Sequence, residues 1–187
     1  MAKVRSRNRE RTRQRILDAA STLLAKGGAG AFSVNRLAAR ARVGKPLIYR
    51  YFGGFPGVLD ALVQREAERW KAREASSPAP ANLPVSLAAY RKLRFGRWLA
   101  GDSVVRGLYR TLLRGGLSRK SAGLLLGLLP TGEDEDKTAS AFLLAGIAFI
   151  VLVKDHCESF GGIGLKDARE LVRLEGVFLK LAESLEP

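Results

Sequence analysis

Basic and tyrosine side chains cluster between residues 36 and 51, in a pattern suited to contact with a polyanion. Seven side chains make up this cluster: Arg36, Arg40, Arg42, Lys45, Tyr49, Arg50 and Tyr51. Lysine and arginine neutralise phosphates and release counterions. Tyrosine donates a hydrogen bond to phosphate while its ring packs at the protein surface. The pattern therefore predicts contact with nucleic acid.

Residues suited to catalysis or metal binding are sparse. The chain has one histidine, His156, which excludes a two-histidine zinc motif and argues against a nucleophile–base triad. The run Asp155-His156-Cys157-Glu158 holds metal-ligating types, but a histidine at the C-terminal end of a helix is already favoured by the helix dipole. Val43-Gly44-Lys45 lacks the other residues of a phosphate-binding loop, and Gly161-Gly162-Ile163-Gly164 follows no strand. We expect no enzyme activity, no metal and no cofactor.

The composition is that of a soluble globular protein with a large positive charge. The 187 residues carry a formal net charge of +14, with 47% apolar and 27% charged residues, and the pI is near 10.6. One cysteine, Cys157, excludes an intramolecular disulfide and favours a reducing compartment. No apolar leader follows Met1, and the longest apolar run, 139–153, is shorter than the roughly 20 residues that span a bilayer. These features predict a cytoplasmic protein whose first expected partner is nucleic acid and whose second is an anionic membrane surface.

The positive charge is concentrated at the N-terminal end. Residues 1–74 have a net charge of +11, and residues 75–187 have only +3. From Lys3 to Arg15 a basic residue recurs at every second position, which matches no helical face, so the segment before about Arg11 is predicted to be a mobile basic arm. Residues 88–120 are basic and residues 121–187 are acidic on balance. These two regions either neutralise each other, in the fold or across a subunit interface, or form a pocket for an anionic small molecule.

Helical periodicity dominates the chain. One apolar stripe begins at Ile16 and ends at Gly27-Gly28, and a second follows Ser33, the predicted N-cap. After a turn of about four residues, Pro46 opens a short helix that runs to Phe52, with Ile48 expected in the core. These elements form a helix-turn-helix, whose short final helix reads the major groove of DNA. Further helices are predicted from Pro56, at about 85–100, 103–114, 119–129 and 139–153, and at the C-terminus, with no strand.

The residues of this segment also carry a family resemblance. The characteristic stretches are Phe32-Ser33-Val34-Asn35-Arg36-Leu37-Ala38 and Val43-Gly44-Lys45-Pro46-Leu47-Ile48-Tyr49-Arg50-Tyr51-Phe52. Between Arg13 and Val63 the sequence resembles the DNA-binding domain of the TetR family. The resemblance implies an all-α homodimer. Residues 1–60 would form a three-helix helix-turn-helix domain with its basic arm, and residues 61–187 a larger helical domain for effector binding and dimerisation.

Carried over by position, the resemblance assigns DNA contacts to the start of helix two and to the short third helix. These residues are Ser33, Asn35, Arg36, Gly44, Lys45, Pro46, Leu47, Tyr49, Arg50 and Tyr51. Two positions depart from the family pattern. Phe55 replaces the usual phosphate-binding lysine at the start of helix four, which weakens one phosphate clamp. Arg42 replaces the common glycine of the turn, at a cost of about 1 kcal/mol if its backbone is left-handed.

The resemblance also predicts where subunits and ligand meet. In the family, two C-terminal helices per subunit usually form a four-helix dimer interface, implied here at 138–155 and 167–185. A seam of apolar residues spaced by three and four supports such pairing. The expected interface residues are Phe149, Leu171, Leu174, Phe178, Leu181 and Leu185. An apolar effector cavity is predicted between helices, lined by Tyr90, Trp98, Tyr109 and Phe142, and nothing in the sequence identifies the ligand.

The preferred hypothesis is a transcriptional regulator, a repressor that binds a palindromic double-stranded operator as a homodimer, without a membrane partner. A small-molecule effector would release it by favouring a dimer whose recognition helices no longer match half-sites about 34 Å, or a multiple, apart. The alternative is a basic helical protein that binds nucleic acid or an anionic membrane without sequence choice. Preference for one duplex over scrambled DNA at fixed salt separates the two.

Overall fold

The computed structural model describes residues 2–27, 32–83, 85–130, 137–154 and 157–184. Within these ranges the chain is almost entirely helical, so the all-α fold class is confirmed. The helices are α1 (Ala2–Gly27), α2 (Val34–Ala41), α3 (Lys45–Phe52), α4 (Phe55–Ser76), α5 (Leu87–Gly101), α6 (Ser103–Leu113), α7 (Arg119–Leu126), α8 (Lys137–Val153) and α9 (Ala168–Glu183). Two short strands, β1 (Ser159–Phe160) and β2 (Ile163–Gly164), lie between α8 and α9.

The hairpin of β1 and β2 corrects the expectation that the chain has no strand. Ser159 pairs with Gly164, and Phe160 with Ile163, in antiparallel register. Gly161 and Gly162 both have positive φ, 58° and 82°, and two such residues in a row suit the tight turn that joins hairpin strands. With only two residues per strand, the segment is too short to show a period in the sequence.

Helix α1 corrects the predicted mobile arm. It begins at Ala2 and continues for 26 residues to Gly27, so the basic residues before Arg11 lie on a helix. The end at Gly27 agrees with the break expected at the paired glycines. Arg9 and Arg13 are four residues apart and therefore share one face of this helix, although the every-second spacing of the basic residues hides that relation.

The chain divides by its packing into two compact units. Unit 1 consists of residues 1–71 and 103–126, and unit 2 of residues 72–102 and 127–187. This division follows contacts alone. The predicted functional division at residue 60 stays a prediction.

The core of unit 1 is formed by one apolar face from each of its helices α1 to α4 and α6. Its most buried members include Ile16, Ala20, Leu24, Leu37, Ala41, Ile48, Val58, Leu62, Val105 and Leu108. Each fully buried large side chain contributes about 1.5–3 kcal/mol. Helices α1 and α6 approach closely, because a Cβ placed on Gly107 would lie 2.6 Å from Cγ of Leu24.

An ion-pair network joins α1 to α4 within unit 1. Glu66 of α4 is fully buried, and its carboxylate pairs with Arg65 and Arg69 of the same helix. Arg65 also reaches α1, where its Nη1 donates to Oδ1 of Asp18 at 2.9 Å. A buried carboxylate without partners is strongly destabilising, so both arginines stabilise Glu66, and Arg65 in addition links α4 to α1.

Unit 2 is built from α5, α8, α9 and the hairpin. Its core contains Ala89, Phe95, Trp98 and Leu99 of α5, Leu144, Val151 and Leu152 of α8, and Phe178 of α9. The ring of Phe160 in β1 packs edge-on against Phe149 of α8, with centroids 5.3 Å apart, which holds the hairpin on that helix. Arg97 of α5 and Glu175 of α9 form an ion pair at 2.8 Å.

Candidate nucleic-acid interface

Helices α2 and α3 form the predicted helix-turn-helix. Ser33 caps α2, since its hydroxyl accepts a hydrogen bond from the backbone N–H of Arg36 at 3.2 Å. At the other end Arg42 adopts a left-handed conformation, with φ 51° and ψ 50°. Its backbone N–H donates to backbone carbonyls in the last turn of α2. Gly44 then precedes α3, and Pro46 lies in the first turn of that helix, where no backbone donor is required.

Helix α3 presents one face to solvent and one to the core. Ile48 is completely buried, as its predicted core position requires. Lys45, Pro46, Tyr49 and Arg50 are exposed, and their spacing places them on one stripe turned away from Ile48. Tyr49 is 57% exposed despite its large ring. The stripe is therefore free to enter a groove.

The remaining predicted contact residues flank this stripe. Ser33, Asn35, Arg36 and Gly44 are exposed, and Leu47 and Tyr51 are half-buried. The hydroxyl of Ser33 is occupied by its cap bond to Arg36, but a hydroxyl oxygen has further acceptor and donor capacity. The ten predicted contact residues thus lie on α2, on α3 or directly before one of these helices, and most of them are exposed to solvent.

The charge around α3 has one sign. Residues 19–59 contain six basic side chains and no aspartate or glutamate. Arg36, Arg40, Arg42, Lys45 and Arg50 are all exposed. A helical face without acidic residues attracts polyanions from a distance of about one Debye length, roughly 8–10 Å at physiological salt.

Two arginines of α1, Arg9 and Arg13, contact the C-terminal end of α3; the sequence predicted a mobile arm for the segment that includes Arg9 and no contact for Arg13. Nη1 of Arg13 donates to the backbone carbonyl of Tyr51 at 2.9 Å, and its guanidinium lies 4.8 Å from the centroid of the Phe52 ring. Arg9 lies 5.7 Å from the ring centroid of Tyr51. The two arginines are four residues apart, and this helical spacing was the sequence signal that could have indicated their shared contact with α3. Arg13 is half-buried and holds α3 in place.

The start of α4 fixes the other side of α3. A Cβ on Gly57 would lie 1.7 Å from the carbonyl oxygen of Phe52, so this glycine permits a contact between the backbones of α4 and α3. Phe55, found where the family usually has lysine, packs its ring against Phe32 with centroids 4.8 Å apart. Phe55 therefore stabilises the segment that leads into α2.

Unit 2 contains a cavity of about 360 Å³ between α5, α8 and α9. Its lining is almost entirely apolar, with Leu93, Leu143, Ile147, Ile150 and Leu174 among its members. Three lining side chains are charged: Arg97, Lys154 and Glu175. The hydrogen bond from Glu175 raises the pKa of Arg97 above its ordinary value. The volume is within the range of small-molecule sites, roughly 300–1,000 Å³.

Of the four residues predicted to line an effector cavity, Phe142 lines this one. Tyr90 and Trp98 lie on α5 but are not among its lining residues, and Trp98 is buried in the core of unit 2. Tyr109 belongs to unit 1, where its hydroxyl donates to the carbonyl of Leu125 at 2.9 Å. The structure therefore does not bring the four together, because aromatic residues at helical spacing serve two different cores.

The predicted dimer residues divide into exposed and buried ones. Phe149 and Leu181 are each 49% exposed, whereas Phe178 is 7% exposed and lines the cavity of its own chain together with Leu174. Phe178 therefore packs largely within its own chain, and the dimer role of the six residues stays a prediction. The side chain of Leu171 and all of Leu185 lie outside the described residues. Other large apolar side chains are exposed, with Phe142 at 75% and Val172 at 68%.

No arrangement for metal binding exists among the described residues: no three His, Cys, Asp or Glu side chains are grouped to hold an ion. Asp155 and His156 lie outside the described ranges. Cys157 is exposed, and the carboxylate of Glu158 accepts a bond from Lys166 at 3.3 Å. In the same described part of the chain, no helix is both long enough and apolar enough to cross a membrane.

Comparison with known proteins agrees with this geometry. Residues 16–62 match the family model for bacterial regulatory proteins of the tetR family, and none of the curated protein sequences matches the chain. The fold is similar to that of the multidrug binding protein EbrR complexed with imidazole, at 23% identity over 94% of both chains and a TM-score of 0.65.

Two further solved structures share the fold. A TetR-family member from Streptomyces coelicolor A3 is 23% identical, over 94% of this chain and 98% of its own, with a TM-score of 0.65. The transcriptional regulator FadR from Bacillus subtilis, in complex with stearoyl-CoA, is 22% identical over 91% and 97% of the two chains, with a TM-score of 0.57. Residues 16–62 thus match the tetR family of bacterial regulatory proteins in sequence, and the chain as a whole shares the fold of the TetR-family structure.

Proposed function

We propose that the protein is a cytoplasmic transcriptional repressor that binds a palindromic operator as a homodimer and releases it when a small molecule binds. The observation that carries the proposal is the exposed stripe of α3, held on a buried core in a region without acidic residues. Such a helix has the shape and charge to enter the major groove. The described residues offer no catalytic constellation, which favours a regulator over an enzyme.

The proposed DNA contacts follow the geometry of α3. Lys45 and Arg50, near the two ends of the stripe, would bind phosphate or guanine, because both side chains carry donors at the end of a long stem. Tyr49 would donate its hydroxyl to a phosphate. Leu47 is half-buried, and contact with a thymine methyl is the role open to it.

The exposed apolar residues of α8 and α9 support the homodimer. Phe142 and Phe149 are seven residues apart and so share one face of α8, with the exposed Ala145 and Gly146 between them. Small residues between large ones let two helices approach closely. Val172 adds an exposed apolar side chain on α9. We propose that these residues meet their counterparts in a second copy, because such patches are rarely left open to water.

The cavity of unit 2 supports response to a small molecule. Structures of EbrR hold imidazole, malachite green or ethidium, and that of FadR holds stearoyl-CoA, so proteins of this fold take ligands of different shape and charge. We propose that the effector of this protein binds between α5, α8 and α9. Its binding would shift the dimer population away from the form that fits DNA.

The proposal is tested by binding to duplexes from the DNA that flanks the gene, with scrambled duplexes of equal composition, at about 150 mM salt. We expect one flanking duplex to bind at least tenfold more tightly than its scrambled form. Equal affinity for both would overturn the proposal and favour the alternative of sequence-independent binding. DNase protection of the preferred fragment then locates the operator and shows whether it is palindromic.

Two variants of α3 make the test specific. Lys45→Ala and Tyr49→Ala should each weaken operator binding by about tenfold, the effect of losing roughly 1–3 kcal/mol of contact. Lys120→Ala removes an exposed lysine of α7 and serves as the matched control. Circular dichroism establishes that each variant is folded. Wild-type affinity in a folded Lys45→Ala protein would remove α3 from the proposed interface.

A further inference from the structure

The charges that line the cavity of unit 2 are not balanced. Among the residues that the structure describes, Glu175 is the one carboxylate of the lining, and it is already engaged. Nη2 of Arg97 donates to Oε2 of Glu175 at 2.8 Å, and Nε donates to Oε1 at 3.3 Å. The guanidinium and carboxylate therefore meet through two parallel bonds and neutralise each other. Lys154 remains as the net charge of the described part of the lining.

Lys154 lies where two helices end. Its backbone N–H donates to the carbonyl of Ile150, one turn before the end of α8. Its Nζ donates to the carbonyl of Ala100, in the last turn of α5, at a long 3.4 Å. The Nζ contact is to a carbonyl at the negative end of the α5 dipole, which attracts a positive charge. Since Lys154 is half-buried and an ammonium has three donors, it has capacity for an anionic ligand.

The cavity is elongated along α8. Its lining on that helix runs from Phe142 to Lys154, a distance of about 18 Å at 1.5 Å per residue. Apolar side chains of α5, α8 and α9 occupy nearly all of this length, and the ammonium of Lys154 lies at one end. A ligand that fills it needs a long apolar body with one charged end.

We propose that the cavity binds an elongated apolar monocarboxylate, with its carboxylate at Lys154 and its apolar chain along α8 toward Phe142. One positive charge matches one carboxylate, whereas a phosphate monoester carries close to two negative charges at pH 7. A cationic ligand would meet a lining of net positive charge. The proposal rests on the proposed function in treating this cavity as the effector site.

The test compares three probes that share a twelve-carbon chain: dodecanoate, dodecanol and dodecyltrimethylammonium. Their dissociation constants for the full chain are measured by calorimetry, each below its micelle-forming concentration. We expect dodecanoate to bind about tenfold more tightly than dodecanol, since a hydrogen bond to a charged group is worth roughly this factor. The cationic probe should bind most weakly.

Variants at Lys154 assign the head-group position. Lys154→Gln should reduce dodecanoate affinity to near that of dodecanol and leave dodecanol unchanged, whereas Lys154→Arg should keep the preference for the carboxylate. Lys166→Gln removes an exposed lysine of the hairpin region that pairs with Glu158 and is the matched control. Equal affinity for the three probes, or no effect of Lys154→Gln, would overturn the proposal.

Two measurements on the same samples separate this inference from the proposed function. Operator affinity without probe tests the DNA-binding role alone. If the operator binds but dodecanoate shows no dependence on Lys154, the ligand inference fails and the regulator stands. If dodecanoate binds through Lys154 but no duplex is preferred, the proposed regulator function fails and the ligand inference stands. Loss of the dimer mass on adding dodecanoate would show that a second copy covers this lining, and would overturn the ligand inference.

Discussion

Arg42 carries the turn between α2 and α3 in a conformation that suits glycine. Its φ of 51° makes it the one residue other than glycine with positive φ in the described part of the chain. A side chain costs about 1–2 kcal/mol there, of which the greater freedom of glycine in the unfolded chain offsets roughly half. We expect Arg42→Gly to raise the melting temperature by about 1–4 °C in thermal unfolding.

A neighbouring arginine provides the control for this variant. Arg40 is exposed like Arg42 but lies within α2, where glycine is less favourable than a helix-forming residue by up to about 1 kcal/mol. Arg40→Gly removes the same charge and should lower the melting temperature. A melting temperature for Arg42→Gly at or below that of Arg40→Gly would contradict the assignment of strain to this turn.

Tyr109 couples the stability of unit 1 to alkaline pH. Burial raises the pKa of its hydroxyl well above the ordinary value near 10, so the folded state favours the neutral form. The resulting stabilisation is complete below about pH 10 and is lost as the pH rises, because the unfolded chain ionises first. We expect Tyr109→Phe to reduce the loss of stability between about pH 9 and pH 11, measured by urea unfolding, by about 1 kcal/mol or more.

At neutral pH the same variant should be less stable than the wild type. The hydroxyl of Tyr109 donates to the carbonyl of Leu125, and removing it leaves a buried acceptor unpaired at a cost of about 1–3 kcal/mol. Tyr49→Phe is the control, since Tyr49 is exposed and should show neither effect. An alkaline slope for Tyr109→Phe that equals the wild-type slope would show that this hydroxyl is not buried.

Single positions were predicted where local chemistry decides the outcome. Ser33 caps α2, because a serine directly before an apolar stripe is well placed to bond the first free N–H groups of a helix. Ile48 is buried, because it lies within the apolar stripe of α3. For Phe178, in contrast, local chemistry does not decide which helix it contacts. A seam of apolar residues indicates that a helix packs against another helix. Whether that second helix belongs to the same chain or to another copy depends on tertiary packing, which a local sequence pattern does not reveal.

At the scale of elements, α1 positions α3. The bond from Arg13 to the Tyr51 carbonyl, with the guanidinium over Phe52, joins the two helices at the end opposite to Lys45. We expect Arg13→Met to weaken operator binding by about tenfold, since a stacked cation and a charged hydrogen bond each contribute about 1 kcal/mol or more. Arg13→Lys should be nearly as weak, because lysine has no planar group to stack.

The dependence of affinity on salt separates positioning from direct contact. A residue that binds phosphate contributes about one unit to the slope of log affinity against log salt. Arg13→Met should leave that slope unchanged, whereas Lys45→Ala should reduce it if Lys45 binds phosphate. Arg11→Met, which removes an exposed arginine of α1, is the control for charge. A reduced slope for Arg13→Met would make Arg13 a DNA contact instead.

The elements missed by the sequence depend on contacts between segments. The alternation of arginines before Arg15 matches no amphipathic helix, yet α1 extends to Ala2, with Arg9 and Arg13 contacting the rings of α3. The hairpin at 159–164 depends on Gly161-Gly162 and on the contact of Phe160 with Phe149. By contrast, α2 and α3 were predicted closely because their caps, Pro46 and apolar stripes all indicate the same boundaries.

At the scale of the whole molecule, exposed apolar residues of α8 and α9 provide the test of dimerisation. We expect Phe142→Glu and Val172→Glu each to halve the mass measured by light scattering at micromolar concentration, because each variant would bury an unpaired carboxylate at the interface. Leu113→Glu alters an apolar residue of α6 that is 71% exposed and should keep the wild-type mass. Dimers in both interface variants would place the interface elsewhere.

Fold class was the most predictable property of the whole chain, since helical period recurs from Ile16 to the C-terminal helix. The lining of the unit 2 cavity was not predictable, because it comes from three helices and the sequence alone does not indicate which helices pack together. Tyr109 illustrates the difficulty. Tyr109 and Trp98 are both aromatic residues within predicted helices, yet Tyr109 bonds to the carbonyl of Leu125 in unit 1 and Trp98 lies in the core of unit 2.

The stretch from residue 19 to residue 59, with six cations and no anion, has a consequence for where the proposed repressor would be found in a cell. Chromosomal DNA is a vast excess of weak sites for any such surface, and binding to them depends on charge alone. A repressor dislodged from its operator would therefore move to neighbouring chromosome rather than into free solution. Its return after the effector is consumed would then be a short search along DNA, so the gene would be silenced again quickly.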